Sequence, residues 1–164
     1  MTDFEATVGL NLVSEIGSVR LSRLQEQYGT PQQILRASVE ELQHVPGIGR
    51  NIAEHIHSIN SGMIAEEIMT AARLGLDVLT REMPGYPQPL RYIPDPPLVL
   101  YVRGAVHPED IYALGIVGPR RPSSYGSQVA EGFSRELGTA GFTIVSGMAR
   151  GIDTGAHNAA LKSG

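Results

Sequence analysis

The residues best suited to chemistry fall in two short stretches, Gly118-Pro119-Arg120-Arg121-Pro122 and Ser146-Gly147-Met148-Ala149-Arg150-Gly151-Ile152-Asp153. Each joins glycines, which let a ligand approach the backbone closely, to arginines, whose planar fork matches oxyanions. Turns of this kind at a helix N-terminus present N–H groups to an anion, and phosphate is the anion that suits them. Gly118, Arg120, Ser146, Gly147, Arg150 and Gly151 form the candidate phosphate pocket, with Arg121 and Lys162 as outer contacts. A third stretch, Val45-Pro46-Gly47-Ile48-Gly49-Arg50, offers bare backbone N–H groups, and Gly47, Gly49 and Arg50 are its candidate phosphate contacts. Other chemistries have little to work with. The chain has no cysteine, hence no disulfide, cysteine–zinc site or thiol nucleophile. His55 and His57 are two residues apart and cannot share a helix face, so they read as surface residues rather than metal ligands. Gly115 and Gly118 do not supply the spacing of a dinucleotide-binding turn. No catalytic residue, metal or cofactor is expected.

The elements that must hold the first two stretches follow from the pattern around them. Ala113–Val117 has the length and bulk of a buried parallel strand, which Gly118 and Pro119 stop. Gly126 to Ala140 has helical spacing, with Val129, Phe133, Leu137 and Ala140 on one inward stripe and Gly141 at the C-cap. Phe142–Val145 restarts a strand, expected to run parallel to the first. Thr154 to Lys162 is a second helix, with Asp153 as its N-cap and His157 one turn on, in reach of that carboxylate. Both arginine turns then leave the same sheet edge, where α/β folds bind ligands.

The first part of the chain reads as helices. Asp3 to Ile16 carries Phe4, Val8, Leu12 and Val13 on one face and stops at Gly17; Ser18 caps a second helix closed by Gly29. Thr30-Pro31 opens a third, and Ser38 with Glu41 makes a capping box. Leu42 to Ile56 resembles a helix-hairpin-helix motif, with Ile48 anchoring the hairpin in the core and Gly17-Ser18-Val19-Arg20-Leu21 as a degenerate first copy. Such a hairpin holds a DNA phosphate without reading bases, and equally serves as a folding or protein-contact module. Glu40, Glu41 and Glu54 flank it, with Arg50 as the lone nearby cation. Met63 to Gly75 is a further helix, Leu76–Leu79 a short strand, and Pro84 to Pro97 a proline-rich connector. Leu98–Val102 is expected to be a strand that joins the edge of the parallel sheet.

The two arginine stretches also carry a family resemblance. IVGPRRPSSYG followed by VSGMARGIDTGAH is similar to the DNA-processing protein DprA (Smf) family, whose Ser-Gly-x-Ala-Arg-Gly-x-Asp signature falls on Ser146, Gly147, Ala149, Arg150, Gly151 and Asp153. Tyr86-Pro87, Leu90 and Pro96 to Tyr101 follow the same pattern. Where the family reads Gly-Ser-Arg this chain has Gly118-Pro119-Arg120, losing a hydroxyl and an N–H that would serve a phosphate. The resemblance implies an α/β protein: a helical tandem helix-hairpin-helix (SAM-like) domain over 1–75, a proline-rich connector and edge strand over 76–104, and a truncated Rossmann-like parallel-sheet domain over 105–164. It implies a non-enzymatic protein that binds single-stranded DNA, protects incoming DNA and loads the RecA recombinase during natural transformation, as a homodimer when full length. The family continues with further strands, so the reading expects a fragment. The alternative is a Rossmann-like enzyme that cleaves nucleotides at the N-glycosidic bond; its usual Pro-Gly-Gly-x-Gly-Thr loop, with a later glutamate, is absent here but would fall beyond Gly164.

Bulk charge sets limits on that reading. A net charge of −4 argues against a generally basic nucleic-acid coat. Its distribution is uneven: residues 1–97 hold seven Arg against twelve Asp/Glu, and residues 98–164 hold six Lys/Arg against five. No apolar run approaches membrane-spanning length and Met1 to Leu10 lacks a signal-peptide pattern, so a soluble, cytoplasmic protein without membrane contact is expected.

Overall fold

Helix starts in the first half of the chain are set by side chains that bond back to the orphan N–H groups of the first turn. The computed structural model of the chain describes residues 1–163. Thr2, Thr30 and Ser38 each make a capping box, with Glu5, Gln33 and Glu41 respectively, opening α1 (Asp3–Asn11), α3 (Pro31–Arg36) and α4 (Val39–Leu42). The Ser38 N–H donates to the Glu41 carboxylate at 2.8 Å, which holds that carboxyl below the usual glutamate range. Asn60 caps α6 (Ser61–Arg73). Between these lie α2 (Ser18–Tyr28) and α5 (Arg50–Ser58).

The chain divides into two compact units, Met1–Val106 and His107–Gly164. In the first, α1 is buried on more than one side through Ala6, Val8, Gly9 and Leu10. A Cβ on Gly9 would stand 2.9 Å from Ile64 Cδ1, so glycine sets how closely α6 lies. The first helix is shorter than the expected Asp3–Ile16: beyond Asn11 the chain turns with Val13 N–H on the Leu10 carbonyl and Ile16 N–H on that of Val13. Those turns still deliver Val13 and Ile16 to the core. Gly17, with extended backbone, and not Ser18 is the N-cap of α2; the Ser18 N–H and hydroxyl both donate to Asp95.

Leu24, Ile34, Leu42, Val45, Ile48 and Ile56 complete this core, and Leu98 and Val99 join it. That burial corrects the expected place of the Leu98–Val102 strand. β2 (Val99–Val102) pairs antiparallel with β1 (Asp77–Thr80) inside the first unit, Asp77 opposite Val102 and Thr80 opposite Val99. The connector between them includes a short helix, α7 (Gln88–Arg91), and is pinned by buried Tyr86, whose hydroxyl donates to the Pro97 carbonyl at 2.9 Å.

The second unit opens with a 3-10 turn (Pro108–Tyr112) and continues β3 (Ala113–Gly115), α8 (Ser124–Thr139), β4 (Thr143–Val145) and α9 (Ile152–Ala160). β3 and β4 are parallel, as expected, with Ala113, Leu114 and Gly115 opposite Thr143, Ile144 and Val145. The chain is thus mixed α/β, helical first and Rossmann-like second. Regular pairing stops at Gly115, though the Ile116 N–H still donates to Val145 at 2.9 Å. The buried side of α8 is displaced by one residue from the expected Val129-Phe133-Leu137-Ala140 stripe: Ala130 and Ser134 are buried, while Phe133 is 59% exposed. The cause lies in α9, which meets α8 with Ala156, Ala159 and Gly155. A Cβ on Gly155 would stand 3.4 Å from Glu131 Cγ, and one on Gly138 3.9 Å from Ala160 Cα. Such close helices admit only small side chains at the contact. Among the described residues, no helix is long and apolar enough to cross a membrane.

Candidate functional site

Gly118 and Gly151 hold the site together, because at both positions a side chain would strike another part of it. A Cβ on Gly118 would stand 2.6 Å from Ile152 Cγ1, and one on Gly151 would overlap the Pro119 carbonyl oxygen and stand 2.7 Å from that of Arg120. Gly151 also has φ +89°, a region that disfavours residues with a Cβ. The Ile152 N–H donates to the Pro119 carbonyl at 3.3 Å. The two arginine turns are therefore one surface, packed loop against loop at the start of α9. Pro119 supplies its carbonyl to that contact.

The Ser146–Gly151 turn is braced from within. The Ser146 hydroxyl donates to the Ile116 carbonyl at 2.6 Å, tying the end of β4 to the end of β3. Asp153, 5% exposed, accepts the N–H groups of Gly147 and Ala149 at 3.1 and 3.4 Å. Asp153 is thus not the N-cap of α9, which is Gly151; its carboxylate shapes the loop. Two N–H groups that the sequence offers to a ligand are engaged by protein. Among the described residues, those of Arg120, Arg121, Met148 and Arg150 donate to no protein acceptor. Met148 has φ +56° and is 85% exposed, so the loop presents backbone outward at this point.

Arg120, Arg121 and Arg150 are exposed, and among the described residues none forms an ion pair. Arg150 does not pair with Asp153, although the two are only three positions apart in the sequence. The structure thus brings together Gly118, Arg120, Arg121, Ser146, Gly147, Arg150 and Gly151. Lys162 is not among them: it follows the far end of α9, roughly 15 Å along the axis from Ile152 at the helical rise. His157 does not bond Asp153; its Nε2 is shielded from solvent and has no partner among the described residues.

In the first unit, Gly47 (φ +89°) turns the hairpin, Ile48 is buried beneath it, and Gly49 is the N-cap of α5 without a side-chain cap. Among the described residues, the N–H groups of Gly49, Arg50 and Asn51 have no protein acceptor. Arg50 is engaged by Glu54 at 2.7 Å, one turn along the helix. It is not the lone cation at the hairpin: Arg20 Nε donates to the Gly47 carbonyl at 3.1 Å and Arg23 Nη1 to that of Pro46 at 3.0 Å. Arg20 and Arg23 share a face of α2 at i, i+3 spacing, the signal in the sequence that would have paired them. His55 Nδ1 lies 3.2 Å from Glu15. Among the described residues, no cluster of three or more His, Cys, Asp or Glu fits a metal ion.

A tandem helix-hairpin-helix unit ahead of a Rossmann-like unit, whose packed glycine loops carry unpaired arginines, defines the class. The sequence model of the DNA recombination-mediator protein A family matches residues 77–164, and that of the SAM-like helix-hairpin-helix tandem matches 10–58. The chain belongs to the DNA recombination-mediator protein A family. It is 36% identical over 158 residues to protein Smf of Synechocystis sp., covering 92% of this chain and 39% of that protein. To the DNA processing protein DprA of Bacillus subtilis it is 38% identical over 95 residues, 54% of this chain and 30% of that one. The chain thus spans less than two fifths of either relative's length. The crystal structure of DNA processing protein A from Streptococcus pneumoniae shares the fold, with a TM-score of 0.73 at 23% identity, over 99% of this chain and 55% of that one.

Proposed function

We propose that the protein is a non-enzymatic DNA-processing factor that binds single-stranded DNA by its phosphates, protects it, and loads RecA onto it during natural transformation. The full-length protein would act in the cytoplasm as a homodimer. One observation carries this reading: two glycine loops, packed on each other, hold Arg120, Arg121 and Arg150 exposed and without ion pairs beside backbone N–H groups that have no protein acceptor. Fixed donors with uncommitted guanidiniums suit a phosphodiester and carry no means of reading a base. The relatives' names, DNA processing protein and recombination mediator, point the same way. Binding of this kind is indifferent to sequence and falls with salt.

The test is Arg150→Ala in the full-length protein, with oligo(dT) affinity measured by fluorescence anisotropy. A loss of about 1.5–3 kcal/mol is expected for a charge-assisted contact, with the melting temperature unchanged because Arg150 makes no ion pair. Unchanged affinity with a lowered melting temperature would assign Arg150 a structural role instead. Release of free base from a nucleotide would replace the binding reading with the N-glycosidic one, and failure to promote RecA filament assembly on coated DNA would remove the mediator part.

A further inference from the structure

Residues 1–97 hold seven arginines among twelve carboxylates, and a charged chain so composed has ample partners for every guanidinium. Among the described residues only Arg50 of the seven makes an ion pair, and three of the others converge on one cleft. Arg23 of α2, Arg81 just after β1, and Arg91 at the end of α7 line a cleft of about 420 Å³ together with Ser22 and Glu26. Glu26 is the one carboxylate in its lining, and among the described residues none of the three arginines makes an ion pair. The volume lies in the range of ligand sites.

Two of the guanidiniums are held in place. Arg91 Nη2 donates to the Met83 carbonyl at 2.6 Å, and its guanidinium lies 5.9 Å from the centre of the Tyr86 ring. Arg23 Nη1 donates to the Pro46 carbonyl at 3.0 Å. Each has further N–H groups left over, since a guanidinium carries five. Prefixed forks lose little freedom on meeting an oxyanion, which is what a phosphate site needs. Arg23 also joins the cleft to the hairpin, because the carbonyl it holds belongs to the hairpin turn itself.

We propose that this cleft is a second phosphate site in the first unit, taking a phosphodiester of a nucleic-acid strand that also touches the N-terminus of α5. The inference rests on the reading that the protein handles DNA, but on none of the residues of the Gly/Arg loops. A free phosphate or a nucleotide shares the chemistry, and the experiment separates these sources.

Arg81 is the residue to change, being exposed and free of hydrogen bonds among the described residues. Oligo(dT) affinity is measured on the 1–164 chain by anisotropy across a salt series, for Arg81→Glu, Arg81→Lys and Arg150→Ala. Arg81→Glu is expected to weaken binding about tenfold and to lower the salt slope by about 0.7, while Arg81→Lys keeps most of the affinity. Amide shifts at Ser22 and Arg23 are expected with oligo(dT) at concentrations where inorganic phosphate and thymidine monophosphate give none. Unchanged affinity in a folded Arg81→Glu chain overturns the proposal; should that variant fail to fold, Arg81→Gln is read the same way. Equal shifts from inorganic phosphate, with oligo(dT) affinity unmoved by Arg81→Glu, make the cleft a small-anion site and also overturn it. Loss with Arg81→Glu but not with Arg150→Ala supports the cleft and rejects the loops as the DNA site. The reverse pattern rejects the cleft alone.

Discussion

Asp153 and Arg150 lie one turn apart with opposite charges, yet the carboxylate is turned inward onto the Gly147 and Ala149 N–H groups. The arginine is left to solvent as a result. A buried carboxylate that accepts two loop N–H groups is a shaping residue, and removing it strands both donors. Asp153→Ala should therefore cost about 1–3 kcal/mol for the second unit. It should also weaken DNA binding although Asp153 itself is too buried to meet a strand. Thermal melts paired with anisotropy check this. A variant with unchanged melting temperature would mean the loop holds its shape without the carboxylate. The glycines and arginines of this loop were legible from the sequence because their chemistry is local. The orientation of Asp153 was not: at N2 of a helix a carboxylate serves equally as a cap to its own turn or as an anchor for the loop before it, and only the path of that loop decides.

At the scale of elements, capping boxes and the strand–helix–strand unit could be read from spacing alone, since each is decided within a few residues. What spacing could not decide was which face or partner each element uses. Phe133 has the right period for the core of α8, but α9 presents alanines and glycines, and the closest packing brings Ala130 and Ser134 to the contact instead. Phe133→Ser should then change the stability of the 1–164 chain by no more than about 0.5 kcal/mol, whereas Ser134→Leu should cost about 1–3 kcal/mol by overpacking. Denaturant midpoints would distinguish them, and a larger loss from Phe133→Ser would return that residue to the core. Asp110 links two elements in the same unit: its carboxylate accepts the His107 N–H at 2.7 Å and the Thr143 hydroxyl of β4 at 2.8 Å. These bonds, the backbone one first, hold its carboxyl below the usual aspartate range. A lowered folded pKa contributes stability that is fully present above the ordinary value of about 3.9 and is lost as pH falls through the folded one. Asp110→Asn should flatten the acid limb of the second unit's stability below about pH 4. An unchanged acid limb would show the link to be idle.

For the whole molecule the decisive quantity is how much apolar surface each unit encloses. The first unit gathers its large side chains, from Val8 and Leu10 through Leu24, Ile34, Leu42 and Ile56 to Leu98 and Val99, in one continuous core. That includes β2, so the pairing of β1 with β2, which no local pattern announces, follows from where Leu98 and Val99 are buried. The second unit encloses mainly Ala130, Ile152, Ala156 and Ala159, with Val117, Val145 and Phe133 more than half exposed. All three residues of β3 are exposed. At about 25 cal/mol per Å² of apolar surface removed from water, the first arrangement is held far more strongly than the second. Amide hydrogen exchange on the 1–164 chain should thus find the slowest amides in α1, α3 and α5 and much faster ones in β3 and β4, since local opening follows the enclosed apolar contacts. Residues 1–106 made alone should keep the spectrum they have in the chain. Residues 107–164 made alone should associate or lose fixed structure, because uncovered apolar strands pair with one another. Equal protection of β3 and α1 in a monomer would mean that the small contacts of α8 with α9 and the Ser146 and Asp153 hydrogen bonds stabilise the second unit far more than their buried area suggests.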